Sequence, residues 1–126
     1  LKAIDTNVLV RLLIEDDTRQ AAAIEAFIQG GAWVPTLALA ESVWVLRSVY
    51  RKDSKEVLKA VEMLLEHQWL VLQDAEAVAG ALDLSRARPS LGFTDCLLLE
   101  LARKNGHLPL GTFDKNLANA DGAERL

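Results

Sequence analysis

A single cysteine, Cys96, stands in the chain. No intrachain disulfide can form, and no thiolate zinc cluster is available. With three prolines and seven glycines in 126 residues, long structureless segments are not expected. No apolar run reaches the length of a membrane-crossing helix, and no signal-peptide pattern is visible, so the cytoplasm is the expected compartment. The first residue is Leu rather than Met, as expected of a trimmed or incomplete N-terminus. Excess positive charge is also lacking: the net charge is −4, whereas a simple nucleic-acid binder carries a basic footprint. That exclusion fails if acids gathered in one site are neutralised by metal ions.

What the chain does have is apolar substance. Its hydrophobic fraction of 51% can fill the core of one compact domain over residues 1–126. Short apolar runs alternate with helical periodicities, and no repeat or linker interrupts them. Lys2 to Asp5, Ala32 to Val34, Trp69 to Leu72 and Leu108 to Leu110 read as strands, with a possible edge strand over Ala123 to Leu126. Pro35 closes the second. Helices are predicted over Asp5 to Leu13, from Asp17 to Ile28 with a stop at Gly30–Gly31, and from Thr36 to about Tyr50. Further helices begin at Ser54 as N-cap, after Asp74, at Asp95 and at Asp114. Strands alternating with helices give an α/β fold with a parallel sheet covered on both faces.

Four acids stand where an apolar core is being built. In "AIDTNVLV", Asp5 ends the first apolar run, at the carboxyl end of a strand, where sites form in open α/β sheets. Asp114, in "GTFDKNLA", follows the fourth strand at the same end. In "PTLALAESVWVL", Glu41 shares a helical face with Leu37, Ala40, Trp44 and Val45, which predicts a Glu on the apolar face rather than toward solvent. In "LGFTDCLLLELA", Asp95 occupies the first turn of a helix that is apolar nearly all round, where the helix dipole favours a negative charge. Each acid has a simpler role when taken alone: Asp5 and Asp114 as helix caps, Asp95 as a first-turn charge, Glu41 as a partly exposed helix residue. Together they would repel one another, with no basic residue beside Asp5, Glu41 or Asp95 in sequence. Hard divalent cations, which prefer oxygen ligands, remove that conflict.

The stretches "IDTNVLVRLL", "PTLALAESVWVLRS", "LGFTDCLLLELARKNG" and "GTFDKNLA" resemble, in order and spacing, the PIN-domain ribonucleases, and in particular the VapC-like toxins of bacterial type II toxin–antitoxin pairs. The resemblance implies a three-layer sandwich whose central parallel sheet has strand order 3-2-1-4-5, with helices on both faces. It implies an endoribonuclease that hydrolyses RNA phosphodiester bonds with Mg²⁺ or Mn²⁺. Asp5, Glu41 and Asp95 match the three core acidic positions and Asp114 the more variable fourth; all four are the implied catalytic and metal-binding residues. Asn116 stands where a further acid could sit. Thr6, Asn7 and Thr112 match neighbours that orient the acids. A homodimer and a small antitoxin protein are the implied partners.

The remaining chemistry is sparse. His67 and His107 are read as boundary or surface residues, and Cys96 as a small buried hydrophobe. Trp33, Trp44 and Trp69 are read as core or interface aromatics. Among scattered basic residues, Arg11, Arg86 and Lys115 are candidates for RNA contact. Two other readings compete. A haloacid-dehalogenase-like phosphatase also starts with a strand-end Asp but usually has a second Asp two residues on, where Asn7 stands here. A PIN-fold binding module without catalysis is the other, and the presence of all four acids speaks against it.

Overall fold

The computed structural model describes residues 1–126, and the chain divides into two compact units, Leu1–Ala75 and Glu76–Leu126. The first unit contains β1 (Lys2–Ala3), α1 (Thr6–Ile14), α2 (Thr18–Ile28), β2 (Ala32–Val34), α3 (Thr36–Ser48), α4 (Ser54–Glu66) and β3 (Leu70–Leu72). The second is built from α5 (Ala75–Ala87), α6 (Phe93–Lys104), β4 (Leu110–Thr112), α7 (Lys115–Ala118) and β5 (Ala123–Arg125). No helix is long and apolar enough to cross a membrane.

In the first unit the three strands form a parallel sheet in the order β1-β2-β3, with Ala3 opposite Trp33 and Trp33 opposite Val71. Residues of one face, Ala32, Val34, Leu70 and Leu72, are buried, and Trp33 and Val71 on the other are exposed. The period-2 alternation of strand side chains produces this split. Lys2 and Ala3 are exposed, whereas the composition of β1 predicts a buried strand. Ile4, just beyond it, is buried and donates its N–H to Trp33 O at 3.1 Å. This anchor fixes where the chain leaves the sheet and turns into α1.

Capping chemistry sets most helix starts. Asp17 accepts from the N–H groups of Arg19 and Gln20 and opens α2, as its position predicts. The helix ends before Gly30 and Gly31, whose φ angles of 86° and 124° lie in the region that favours glycine. The predicted cap at Ser54 is displaced by one residue. Asp53 caps α4, and it forms a reciprocal capping box with Glu56, which satisfies two orphan donors at once. Pro35 precedes α3 and offers no side-chain cap. The Gln73 side chain, beyond β3, accepts the Thr36 N–H at 2.9 Å instead. The start of α3 is thereby tied to the carboxyl end of the sheet.

In the second unit β4 and β5 form a parallel pair, Leu110 opposite Ala123 and Thr112 opposite Arg125. The strands thus form two sheets where the sequence predicts one, with the first three neighbours in the expected order. β4 begins two residues later than predicted. Pro109 has no N–H to give to a ladder, and Leu110 is the residue whose N–H reaches Gly122 O, at 2.8 Å. Within α5 and α6, Gly80 lies against Glu100: a Cβ there would meet the Glu100 Cδ at 3.3 Å. Cys96, Leu97 and Leu99 of α6 are fully or nearly fully buried.

Candidate active site

Asp5 is the residue between the anchored Ile4 and the first turn of α1. It is the N-cap of that helix, with extended backbone, and its Oδ1 accepts the Val8 N–H at 3.0 Å. The next residue, Thr6, donates its hydroxyl to Glu41 Oε1 at 3.2 Å. Glu41 lies mid-way along α3, which packs on α1. The first two predicted acids are therefore linked through one hydroxyl: Asp5 through its chain neighbour, Glu41 through a hydrogen bond. A Thr hydroxyl that donates to a carboxylate fixes that group's orientation and leaves its other oxygen free.

Glu41 itself departs from expectation. The face it shares with Leu37 and Trp44 is the outward one, and α3 buries Ala38, Leu39, Ser42, Val43 and Leu46 instead. The helix is apolar nearly all round, so two stripes satisfied the periodicity. Small residues decide between them, because Ala38 and Ser42 let a neighbouring element approach closely. Ser42 is fully buried, and its hydroxyl finds no partner. Trp44 and Trp33 are accordingly exposed rather than core residues, and Trp69 is half-buried.

Asp95 and Asp114 belong to the second unit. Buried Leu91 and Phe93 pin the entry to α6, which starts two residues earlier than predicted and places the half-buried Asp95 in its first turn. Burial pushes the Asp95 carboxyl above the ordinary carboxylate value, and the negative charge of Asp114 pushes it further. Asp114 follows β4 and caps α7, its Oδ1 accepting the Leu117 N–H at 2.9 Å. Its own N–H donates to the Thr112 hydroxyl at 3.0 Å. Thr112 therefore holds the Asp114 backbone, not its carboxylate.

Two of the four acids are thus helix caps, as their simpler readings hold. A cap occupies one oxygen of each carboxylate, Oδ1 in both cases, so capping and ligation do not compete for the second. The ion pairs Arg11–Asp16, Lys52–Glu56 and Arg103–Glu100 leave all four acids out. These carboxylates, one of them destabilised by burial and by a second, are a donor set that fits a hard divalent cation. Neither unit by itself holds a group of three or more His, Cys, Asp or Glu side chains that could hold a metal ion; the pairs Asp5/Glu41 and Asp95/Asp114 are what each unit supplies.

The other predicted residues are placed as follows. Asn7 is exposed in the first turn of α1 and shares a cavity wall with Arg11 and Gln20. Arg11 is engaged with Asp16 at 3.2 Å. Arg86 is exposed in the last turn of α5, and Lys115 is exposed at the start of α7. His67 is the C-cap of α4, and its Nδ1 accepts the Trp69 N–H. Its Nε2 is therefore the ring nitrogen that carries the proton. Beside Asp5 opens a shallow cavity of about 420 Å³, walled in part by Val8, Ile24 and Phe27.

A family model described as the PIN domain matches the chain over residues 2–123. The chain belongs to the PIN domain family. The match spans every candidate acid and both units. PIN domains are typically nucleases, generally dependent on divalent metal ions. No curated protein matches the chain.

Two features of this PIN domain were not legible beforehand: the Thr6–Glu41 hydrogen bond and the Gln73 side chain that holds the start of α3. Both join residues more than thirty positions apart in sequence. Only the parallel pairing of β2 with β3, and the packing of α1 on α3, bring them together.

Proposed function

We propose that this PIN domain is a metal-dependent endoribonuclease that hydrolyses RNA phosphodiester bonds, and that Asp5, Glu41, Asp95 and Asp114 are the carboxylates that hold its Mg²⁺ or Mn²⁺. The observation that carries the reading is the Asp95–Asp114 pair at the start of α6 and the cap of α7: burial raises the Asp95 pKa, and the charge of Asp114 raises it further. A fold keeps such a pair at a cost in stability, and that cost makes sense where the charges are used. A bound divalent ion supplies an activated water and charge stabilisation for the leaving oxygen. The residues of the chain do the rest. Thr6 orients Glu41, Thr112 holds the backbone of Asp114, and the caps at Asp5 and Asp114 fix both carboxylates on rigid helix starts.

The resemblance of the chain's motifs to the VapC-like toxins supports the remaining parts. We take residues 1–126 as one PIN-like domain, an α/β three-layer sandwich with strand order 3-2-1-4-5. The domain acts in the cytoplasm as the toxin of a toxin–antitoxin pair, restrained by a small antitoxin protein, and works as a homodimer. Arg11, Arg86 and Lys115, with Asn7 beside Asp5, are the proposed contacts to RNA. The test is incubation of purified protein with RNA in Mg²⁺, Mn²⁺ or chelator. Cleavage only with metal, lost in Asp95→Asn, is expected. A folded protein that binds neither metal nor shows cleavage would instead be a binding module.

A further inference from the structure

A groove of the first unit runs between α1 and α2. It joins the cavity of about 420 Å³ beside Asp5 to a second of about 320 Å³, and the two share Val8, Ala23 and Ile24. Helical spacing makes the walls. On α2, Gln20, Ala23, Ile24 and Phe27 stand at i, i+3, i+4 and i+7, one face of the helix. On α1, Asn7 and Arg11 stand one turn apart. The small Ala23 leaves open the space that a larger side chain would fill. The two ends differ in chemistry. Asn7, Arg11 and Gln20 line one. Phe27 lines the other, 43% exposed, with the Lys2 ammonium 4.8 Å from its ring centroid.

The polar end says what fills it. Asn7 and Gln20 are exposed, and the fold uses neither amide; the Asp17 cap takes only the backbone N–H of Gln20. An apolar side chain of a protein partner would cover Val8 and Ile24 but desolvate both amides without pairing them, which costs free energy. A nucleobase answers both demands, with flat apolar faces and an edge of donors and acceptors. Single-stranded RNA offers such bases unstacked. The donors left free select the base. Arginine reads guanine through its two-pronged fork, but Arg11 Nη1 is shared between both Asp16 oxygens, at 3.2 and 3.4 Å. An Asn or Gln amide offers one donor and one acceptor side by side, the complement of adenine N7 and its 6-amino group. At the other end, the Phe27 ring is a platform on which any base stacks, and Lys2 beside it supplies a charge for a phosphate.

We propose that the groove between α1 and α2 reads an adenine next to the cut, through the Asn7 and Gln20 amides, while Phe27 stacks the neighbouring base whatever its identity. Asp5 opens onto the same groove, which sets the read base beside a proposed metal ligand. The inference deepens the proposed nuclease reading and rests on it. It makes Gln20 and Phe27 substrate-selecting residues, and neither is an acid of the metal site. Metal-dependent cleavage of RNA without any adenine preference would overturn this inference alone. Adenine-selective binding without cleavage in Mg²⁺ or Mn²⁺ would overturn the nuclease reading alone.

Fluorescence anisotropy of the full chain with labelled short single-stranded RNAs tests it, in chelator so that the RNA stays uncut. A uridine tract with one central adenosine is expected to bind roughly 10-fold or more tightly than an all-uridine tract, the discrimination of a paired amide–adenine contact. Gln20→Ala should bring the two RNAs to the same affinity. Phe27→Ala should weaken both alike, by roughly 10-fold, as loss of a stacking platform does. Should a variant misfold, the parent protein decides from the ligand side. Purine riboside in place of the adenosine lacks the 6-amino group and should abolish the preference. Equal affinity of the parent for both tracts would overturn the proposal and leave the groove to a protein partner. A preference that survives Gln20→Ala or loss of the 6-amino group, or a Phe27→Ala variant that binds as the parent does, would overturn it as well.

Discussion

The Thr6 hydroxyl donates to Glu41 Oε1 at 3.2 Å, and that single bond ties the residue after Asp5 to an acid 35 positions away in sequence. Thr6→Val keeps the shape of the side chain and removes the donor. Glu41 is exposed, so the variant should lose little stability. Metal affinity, read by isothermal titration with Mn²⁺, should fall about 10- to 100-fold, the usual effect of removing a group that orients a ligand. Unchanged affinity would show that Glu41 needs no such support.

Asp95 gives a pH prediction with a definite sign. Burial, and then the charge of Asp114, raise its folded pKa above the ordinary 3.8. Between those two values the folded state holds a proton that the unfolded state has lost. Stability therefore falls as pH rises through that window, and the cost stays in full above it. Asp95→Asn removes the charge. At neutral pH the variant should melt higher than the parent, and the two should converge as pH drops below about 3.8. Mg²⁺ should raise the melting temperature of the parent and not of the variant. Differential scanning calorimetry across pH, with and without metal, checks both statements.

The two capping acids separate structure from chemistry. Asn caps a helix about as well as Asp, whereas Ala costs roughly 1 kcal/mol. Asp5→Asn and Asp114→Asn should retain near-parental stability yet weaken metal binding and RNA cleavage. Asp5→Ala and Asp114→Ala should lose both. If the Asn variants cleave RNA normally, these residues are caps and nothing more.

Asp53 supplies the control. Its carboxylate and that of Glu56 close the capping box at the start of α4, away from the proposed chemistry. Asp53→Ala should destabilise by about 1 kcal/mol in urea unfolding and leave metal affinity untouched.

Local signals in the sequence settle an element where one interaction decides it. Ala32 to Val34 is a strand bounded by Gly31 and Pro35, and it forms over those residues. Asp17 caps α2 as its position predicts. The four acids were legible as anomalies because each breaks an apolar run. Competition between two acceptable solutions was not legible. Around α3 either stripe could face inward, and the small Ala38 and Ser42, not the larger Leu37 and Trp44, chose the buried one. At α4, Asp53 outcompetes Ser54 because Glu56 stands at the matching third position. The start of β4 depended on which N–H could reach Gly122 O, a tertiary fact.

The acids of this PIN domain are proposed to hold a divalent ion that RNA cleavage requires. The most direct measurement follows cleavage of a labelled RNA by the parent protein and by Asp95→Asn while Mn²⁺ is titrated from zero, with binding read in parallel. Saturable cleavage by the parent, tracking metal occupancy, and none by Asp95→Asn at any concentration is the predicted result. Cleavage that persists in excess chelator, or that Asp95→Asn retains in full, would contradict it.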